Sequence, residues 1–143
     1  MRSGDDRPIF VPPDAGTVLD ALSVTHKLTS QQTGGTIYVF ETAFDPGDGN
    51  RLHVHDREDE LGFVIEGALE IRLADRTELL AAGGIARLPR GIAHAIRNPL
   101  DVRSRYLFMA VPGGLDRWFD AVAAAQRDGP LDDATFRGLS SDF

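Results

Sequence analysis

Three of the four histidines stand in two short segments whose spacing indicates a metal site. His53 and His55 lie two residues apart in a segment that predicts a strand, so both imidazoles leave the same face about 7 Å apart along the backbone. Glu60 opens the next predicted strand and places a carboxylate beside them, and His94 would contribute a third imidazole from the second segment. Nitrogen and carboxylate ligands that converge in this way are typical of a divalent transition metal.

This set of ligands limits the chemistry more than it limits the metal. Three neutral imidazoles and one carboxylate are of intermediate softness, so they predict one divalent ion among Fe, Mn, Ni, Cu and Zn without selecting one. An octahedral ion on four protein ligands keeps two open positions, enough to chelate a substrate through two oxygens or to hold a substrate and O₂. A tetrahedral zinc ion would be nearly closed.

The sequence around these residues consists of short β-branched and aromatic runs separated by Gly, Pro, Asp and Asn, a pattern that predicts an all-β fold. The predicted strands are Val18–Leu28, Thr36–Phe44, Arg51–His55, Glu60–Ile65, Ala68–Leu73, Glu78–Leu80, Ile85–Leu88, Ala93–Asn98 and Arg103–Val111. Gly34-Gly35 and Glu66-Gly67 predict tight turns between strands. Hairpins at this spacing indicate a sandwich or a barrel.

After Pro112 the apolar period changes from 2 to about 3.6, which predicts a helix. Its apolar stripe consists of Leu115, Trp118, Phe119 and Val122. Gly129-Pro130 ends the helix, and Asp132 could cap a last short turn through Phe136. We interpret the stripe as packing against the barrel or a partner subunit.

Composition describes one globular domain of 143 residues, 42% hydrophobic and 26% charged. We expect a single domain over 1–143, with a barrel over about 17–111 and a helical segment over about 114–138.

The absence of cysteine excludes disulfides, thiolate ligands, iron–sulfur clusters and a cysteine nucleophile. A net charge of −7 argues against nucleic-acid binding. No apolar run has the length of a membrane span or the form of a signal peptide, so we expect a cytoplasmic protein. Small molecules or protein partners remain as ligands, and we expect a small-molecule substrate.

The two histidine segments resemble the two motifs of the cupin superfamily. The first motif is matched by Gly47, His53, His55, Glu60 and Gly67, and the second by Gly83, Pro89, Gly91, His94 and Asn98. The resemblance covers about Thr17 to Val111 and is closest to the single-domain bacterial cupins, quercetin-dioxygenase-like proteins with the Cupin_2 barrel. It implies a double-stranded β-helix, or jelly roll, that holds a divalent metal on His53, His55, Glu60 and His94. Cupins of this kind usually cover their sheet edges with a partner, so a homodimer is expected.

Two further positions near the motifs have both a functional and a structural interpretation. Gly62 stands where similar sequences usually carry an aromatic residue and shares the inward face of its predicted strand with Glu60. A missing ring would widen the substrate space, whereas a close backbone approach would explain the glycine without a substrate. Arg51 precedes His53 by two residues and could clamp a carboxylate or enolate, or turn to solvent, or pair with an acid such as Glu41.

Aromatic and histidine positions outside the motifs are the remaining candidates. Four aromatic residues are predicted in pairs on two strands, each pair wholly inside or wholly outside, as core or as substrate contacts: Tyr38 and Phe40, Tyr106 and Phe108. His26 alternates with apolar neighbours and is predicted to be a core or interface histidine. In the acidic run from Asp56, the first four residues are predicted to be a solvated turn, and only Glu60 has the register of a ligand.

The leading functional hypothesis is a metal-dependent dioxygenase that acts on a small enol, catechol or flavonol-like molecule, with Glu60 as both ligand and catalytic base. The oxygenase part comes from the resemblance. The first alternative keeps the metal as a Lewis acid, as in an isomerase, decarboxylase or polyketide-type cyclase. The second alternative is a cupin that binds a small ligand without catalysis.

Overall fold

The computed structural model describes residues 7–127, 129–132 and 134, which form two antiparallel sheets and one helix, α1, over Leu115–Gln126. The strands are β1 Thr17–Leu19, β2 Val24–Leu28, β3 Tyr38–Phe44, β4 Asp59–Glu66, β5 Ala68–Arg72, β6 Thr77–Ala81, β7 Ile85–Leu88, β8 Ala95–Arg97 and β9 Ser104–Val111. The larger sheet has the order β1-β2-β3-β9-β4-β7, and the smaller one has the order β6-β5-β8. The predicted all-β class with a helix after the barrel is confirmed.

The hydrophobic core lies between the two sheets. Buried and more exposed residues alternate along β3 and β9, as expected for strands with one face inward. Both sheets contribute to one apolar cluster, whose fully buried large side chains are Tyr38, Tyr106, Phe108, Leu69 and Val64. Because these strands are fixed by dense packing, they provide a rigid frame for residues at the ends of the strands.

The prediction of one long strand over Val18–Leu28 is wrong. A short 3₁₀ helix over Asp20–Leu22 interrupts it, and Ser23 follows in the left-handed region at φ 53°. The chain therefore reverses, and β1 pairs antiparallel with β2. Apolar residues alternate on both sides of the reversal, so the sequence pattern predicted one continuous strand and did not indicate the turn.

The turn at Glu66-Gly67 joins two strands as predicted, but the strands do not pair with each other. β4 belongs to the larger sheet and β5 to the smaller one, so the chain crosses from one sheet to the other here. Gly67 has φ 85°, and a Cβ on it would overlap the hydroxyl oxygen of Ser104. Glycine is required at this crossing for both reasons.

The predicted strand over Arg51–His55 is also wrong as a regular strand. The segment is extended, but its regular pairing with the β8 region is limited to isolated bridges from Gly49 to Arg97 and from His53 to His94. The Asn50 side chain occupies the position between them, because its Oδ1 accepts the backbone N–H of Ile96 at 2.9 Å. The first histidine segment is thus tied to the smaller sheet without extending its ladder.

Helix α1 buries the stripe that its sequence predicts. Leu115 and Val122 are buried, and Trp118 and Phe119 pack against the core cluster. The proposed turn from Asp132 to Phe136 lies largely outside the described residues. Within the part of the chain that the structure describes, no helix is long and apolar enough to cross a membrane.

A buried carboxylate fixes the start of α1. Asp116 accepts the backbone N–H of Ser30 at 2.9 Å and its hydroxyl at 2.5 Å. One helical turn later, Asp120 Oδ1 lies 2.9 Å from Nε2 of the buried His26. Residues four apart share a helix face, so both acids hold the same face of α1 against β2 and the loop that follows it.

Candidate metal centre

The four predicted ligands are brought to one end of the barrel by the register of the strands. Glu60 is the first inward residue of β4 and pairs with Leu88 on β7 and Ala110 on β9. His94 precedes β8 by one residue and exchanges two backbone hydrogen bonds with His53, at 2.9 and 3.0 Å. The loop before β4 is thus hydrogen-bonded to the loop before β8.

The side chains converge as the ligand prediction requires. One ligand atom from each of His53, His55, Glu60 and His94 lies within 4.8 Å of all the others. Glu60 Oε2 is 3.1 Å from His55 Nε2 and 3.7 Å from His94 Nε2. The ring centroid of His53 lies 4.8 Å from that of His55 and 4.5 Å from that of His94. A single ion placed among these atoms could reach all four.

Backbone carbonyls orient two of the imidazoles. His53 Nδ1 lies 2.6 Å from the carbonyl oxygen of Arg51, and His94 Nδ1 lies 3.2 Å from that of Ile92. A carbonyl oxygen can only accept, so each Nδ1 carries the proton and donates it. In the neutral ring, Nε2 is then left with its lone pair free for a metal.

A carboxylate orients the third imidazole. His55 Nδ1 lies 2.9 Å from Glu58 Oε1, and its Nε2 faces Glu60. Burial alone would lower the pKa of His55, but the hydrogen bond to Glu58 and the nearby carboxylate charges of Glu58 and Glu60 raise that pKa to about 9. Without a metal, His55 is therefore protonated at neutral pH and bridges the two carboxylates.

The environment of Glu60 tests whether a metal fits this site. The residue is buried, with 6% of its surface exposed, and its Oε2 accepts no well-formed hydrogen bond from the described residues. Burial would raise the pKa of Glu60, yet His55 and His94 hold it well below its usual range. A buried, ionised oxygen without a hydrogen bond, faced by imidazole Nε2 atoms, is suited to a cation. The donor set fits a divalent metal.

The centre is more accessible from the first histidine segment than from the core. Glu60 and His94 are buried, whereas His53 and His55 are half-buried. Burial lowers the pKa of His53, so this imidazole is neutral at pH 7. The neighbouring Leu52 is also exposed on this side of the centre.

Arg51 and Gly62 occupy different surroundings. Arg51 is exposed on the segment that leads to His53. Gly62 faces inward on β4, but a Cβ there would lie 2.6 Å from Cε1 of Phe108, its direct partner on β9. The ring of Phe108 thus fills the space that a missing aromatic would leave. The structure favours the close-approach explanation of the glycine over a widened pocket.

The four candidate aromatic residues lie in the core. Tyr38, Phe40, Tyr106 and Phe108 are each at most 4% exposed, and the rings of Tyr38, Phe40 and Phe108 stack in succession at 5.0 and 5.5 Å. Both pairs are wholly inside. Their role in the core is confirmed, and contact with a substrate stays a prediction.

His26 is a buried histidine, as its alternation predicts. Its Nδ1 lies 2.5 Å from the hydroxyl of Tyr38, and its Nε2 lies 2.9 Å from Asp120. The ring therefore has a partner on each nitrogen and connects the barrel interior to α1. Its position outside the metal centre agrees with its position outside both motifs.

Sequence reasoning missed the residues that brace the turn between His55 and Glu60. The side chain of Glu58 is only 12% exposed, so this part of the acidic run is not a solvated face. Asp59 accepts the backbone N–H of Arg90 at 2.9 Å and its Nε at 3.2 Å, which links the two histidine segments. The spacing of three residues between His55 and Glu58 was the available signal.

Comparison with known proteins agrees with this geometry. Residues 40–110, which contain both histidine segments, match the family described as cupin domain. The protein SchB of Streptomyces halstedii is 29% identical over 111 residues, 78% of this chain and 68% of that protein.

Two solved structures share the fold. KdgF from a Halomonas species aligns over 66% of this chain and 84% of its own, with 23% identity and a TM-score of 0.56. A protein of Thermotoga maritima described as a predicted oxalate decarboxylase aligns over 62% and 78%, with 19% identity and a TM-score of 0.59. The jelly-roll fold expected from the motifs is therefore confirmed.

Proposed function

We propose that this cupin is a metal-dependent enzyme that acts on a small oxygenated molecule, an enol, catechol or flavonol-like compound, and that it is a dioxygenase. The observation that carries the metal part is the buried oxygen of Glu60, which accepts no hydrogen bond from residues in the described part of the chain and faces the Nε2 atoms of His55 and His94. The oxygenase part rests on the motif resemblance to quercetin-dioxygenase-like cupins. Likeness of fold alone is a weak argument for a reaction.

A divalent ion held by His53, His55, Glu60 and His94 would supply Lewis acidity and, if it is Fe, Mn, Ni or Cu, redox chemistry with O₂. The reaction class would add both oxygen atoms of O₂ to the substrate, so it needs no external reductant. Four protein ligands leave two positions of an octahedral ion open.

The protein residues have separable roles in this proposal. Glu60 is ionised at neutral pH and can accept the proton of a substrate hydroxyl as well as serve as a ligand. Arg51 is exposed two residues before His53, and in this proposal its guanidinium would pair with a carboxylate or enolate oxygen of the substrate. The stacked rings of Phe40 and Phe108 are buried in the core, and Phe108 lies on the strand that pairs with β4, which carries Glu60.

The same donor set suits a metal that undergoes no redox change, and this favours a second candidate. An isomerase, decarboxylase or polyketide-type cyclase would use the ion only to stabilise an enolate, with Glu60 again as the proton acceptor. A cupin that only binds a small ligand is less consistent with the site, because simple binding needs no complete set of four ligands.

Oxygen uptake distinguishes these candidates. The metal-free protein is loaded separately with Fe, Mn, Ni, Cu or Zn, and O₂ consumption and substrate loss are followed with flavonols, catechols and β-diketones. A dioxygenase consumes O₂ in step with substrate and stops under argon. Turnover with Zn under argon would replace the dioxygenase by the non-redox candidate, and absence of turnover in all arms would contradict an enzyme for these substrate classes.

A further inference from the structure

The three imidazoles of the centre are not held in equivalent ways. His53 and His94 donate from Nδ1 to backbone carbonyls, which any sequence would provide at those positions. His55 donates instead to a side chain, Glu58 Oε1, at 2.9 Å. This contact depends on the identity of one residue, and that residue belongs to neither cupin motif.

The turn that carries Glu58 is fixed in place. The side chain of Glu58 is 12% exposed, and the next residue, Asp59, is tied to the second histidine segment through the backbone N–H and the guanidinium of Arg90. A charge-assisted hydrogen bond that His55 donates to a carboxylate held in this way is stronger and more directional than one to water. Its geometry is set before any ligand arrives.

We propose that Glu58 is a positioning residue of the metal centre, which aims Nε2 of His55 at the ion and completes the balance of charge around it. The inference rests on the proposed metal site. A divalent ion with Glu60 alone leaves one positive charge in a largely buried place. With Glu58 on the far side of His55, the charges of the ion and the two carboxylates sum to zero. The carboxylate of Glu58 also makes Nε2 of the imidazole a better electron-pair donor to the ion.

A zero net charge also bears on the ligands that the centre accepts. A small anion that takes an open position adds a negative charge beside two carboxylates, which the low dielectric of a half-buried site makes unfavourable. We therefore expect Glu58 to disfavour simple anions relative to neutral chelating molecules. Substituting the carboxylate by a neutral group should strengthen anion binding.

The test compares the metal-free wild-type chain with Glu58→Gln, Glu58→Ala and the matched control Asp56→Asn, which changes an exposed acid of the same turn. Co²⁺ binding is measured by calorimetry at pH 7.5, and the visible spectrum of the loaded protein is recorded with and without azide. Glu58→Ala should weaken Co²⁺ binding by about 10–100-fold and shift the spectrum. Glu58→Gln, which retains an acceptor, should weaken it less but bind azide more tightly than wild type.

The outcomes separate the two proposals. Wild-type affinity and spectrum in both Glu58 variants would overturn the positioning role while leaving the metal centre intact. An equal loss in Asp56→Asn would show a general effect of charge in the turn and would also overturn it. Failure of the wild-type chain itself to bind Co²⁺ or any other divalent ion would remove the metal centre, and the role of Glu58 with it.

Discussion

The explanation of Gly62 can be tested by adding one methyl group. Gly62 sits opposite Phe108 on the neighbouring strand, and a Cβ there would lie 2.6, 3.2 and 3.3 Å from three atoms of the ring. The ring cannot swing away easily, because it is 1% exposed and lies between Phe40 and Tyr106. Gly62→Ala should therefore overpack the core.

Two effects of opposite sign determine the size of the change. Overpacking a dense core costs about 1–3 kcal/mol in the free energy of unfolding. Replacing glycine by alanine at a position without positive φ restores about 0.4–1 kcal/mol by restricting the unfolded chain. The clash outweighs this gain, so we expect a net loss of about 1–2 kcal/mol. For a domain of this size, that corresponds to a fall in Tm of roughly 3–8 °C.

The assay is urea unfolding of the metal-free protein in the presence of a chelator, so that ligand binding does not contribute to the stability. The control is the double variant Gly62→Ala/Phe108→Leu beside Phe108→Leu alone. With the ring gone, the added methyl group should cost less than it does in the wild-type background. An equal cost in both backgrounds, or a Gly62→Ala variant as stable as wild type, would refute the close-approach explanation.

Three further predictions concern protons, the helix and assembly. Because the pKa of His55 is raised to about 9 without metal, metal binding at pH 7 should displace its proton, and metal affinity should increase as the pH rises towards 9. Calorimetry in buffers of different ionisation enthalpy measures the proton release, and metal binding without proton release would contradict the prediction. Asp116→Ala leaves the N–H and hydroxyl of Ser30 without their acceptor and should lower the free energy of unfolding by about 1–3 kcal/mol, and Asp116→Asn should lower it less. Equal stability of the wild-type chain and both variants in urea unfolding would contradict the role of Asp116 in fixing the start of α1. We also propose a homodimer, because the outer face of the larger sheet exposes Phe63 and its neighbour Ile85. Light scattering at micromolar concentration should give about twice the chain mass of 15.5 kDa, and a mass equal to that of one chain would contradict the proposal.

The ligands were predictable from sequence because the spacing of the residues and of the motifs identifies them. His53 and His55 share a face of an extended segment at a separation of two residues, and Glu60 and His94 stand at the fixed motif distances, whereas their convergence depends on the pairing of the two histidine segments. The helical stripe of α1 was predictable for the same reason. Its period is a local property of the sequence.

Features that depend on the folded arrangement of the chain were harder to predict than the ligands. The glycine at position 62 is explained only by Phe108, which lies 46 residues later in the chain and reaches it through the pairing of β4 with β9. The role of Glu58 needed the turn to fold back on His55, and the acidic run around it is typical of a solvated surface. The reversal at Ser23 required a left-handed residue that is not glycine, which sequence patterns rarely indicate.

Metal content is the most direct test of the central claim that His53, His55, Glu60 and His94 form one metal centre. Purified wild-type chain and His94→Ala are loaded with the same divalent ion, passed through a desalting column and measured by elemental analysis, with circular dichroism to verify the fold. The wild-type chain should retain about one ion per chain and His94→Ala should lose most of it with an unchanged spectrum. Full retention of the ion by the folded His94→Ala variant would contradict the four-ligand centre.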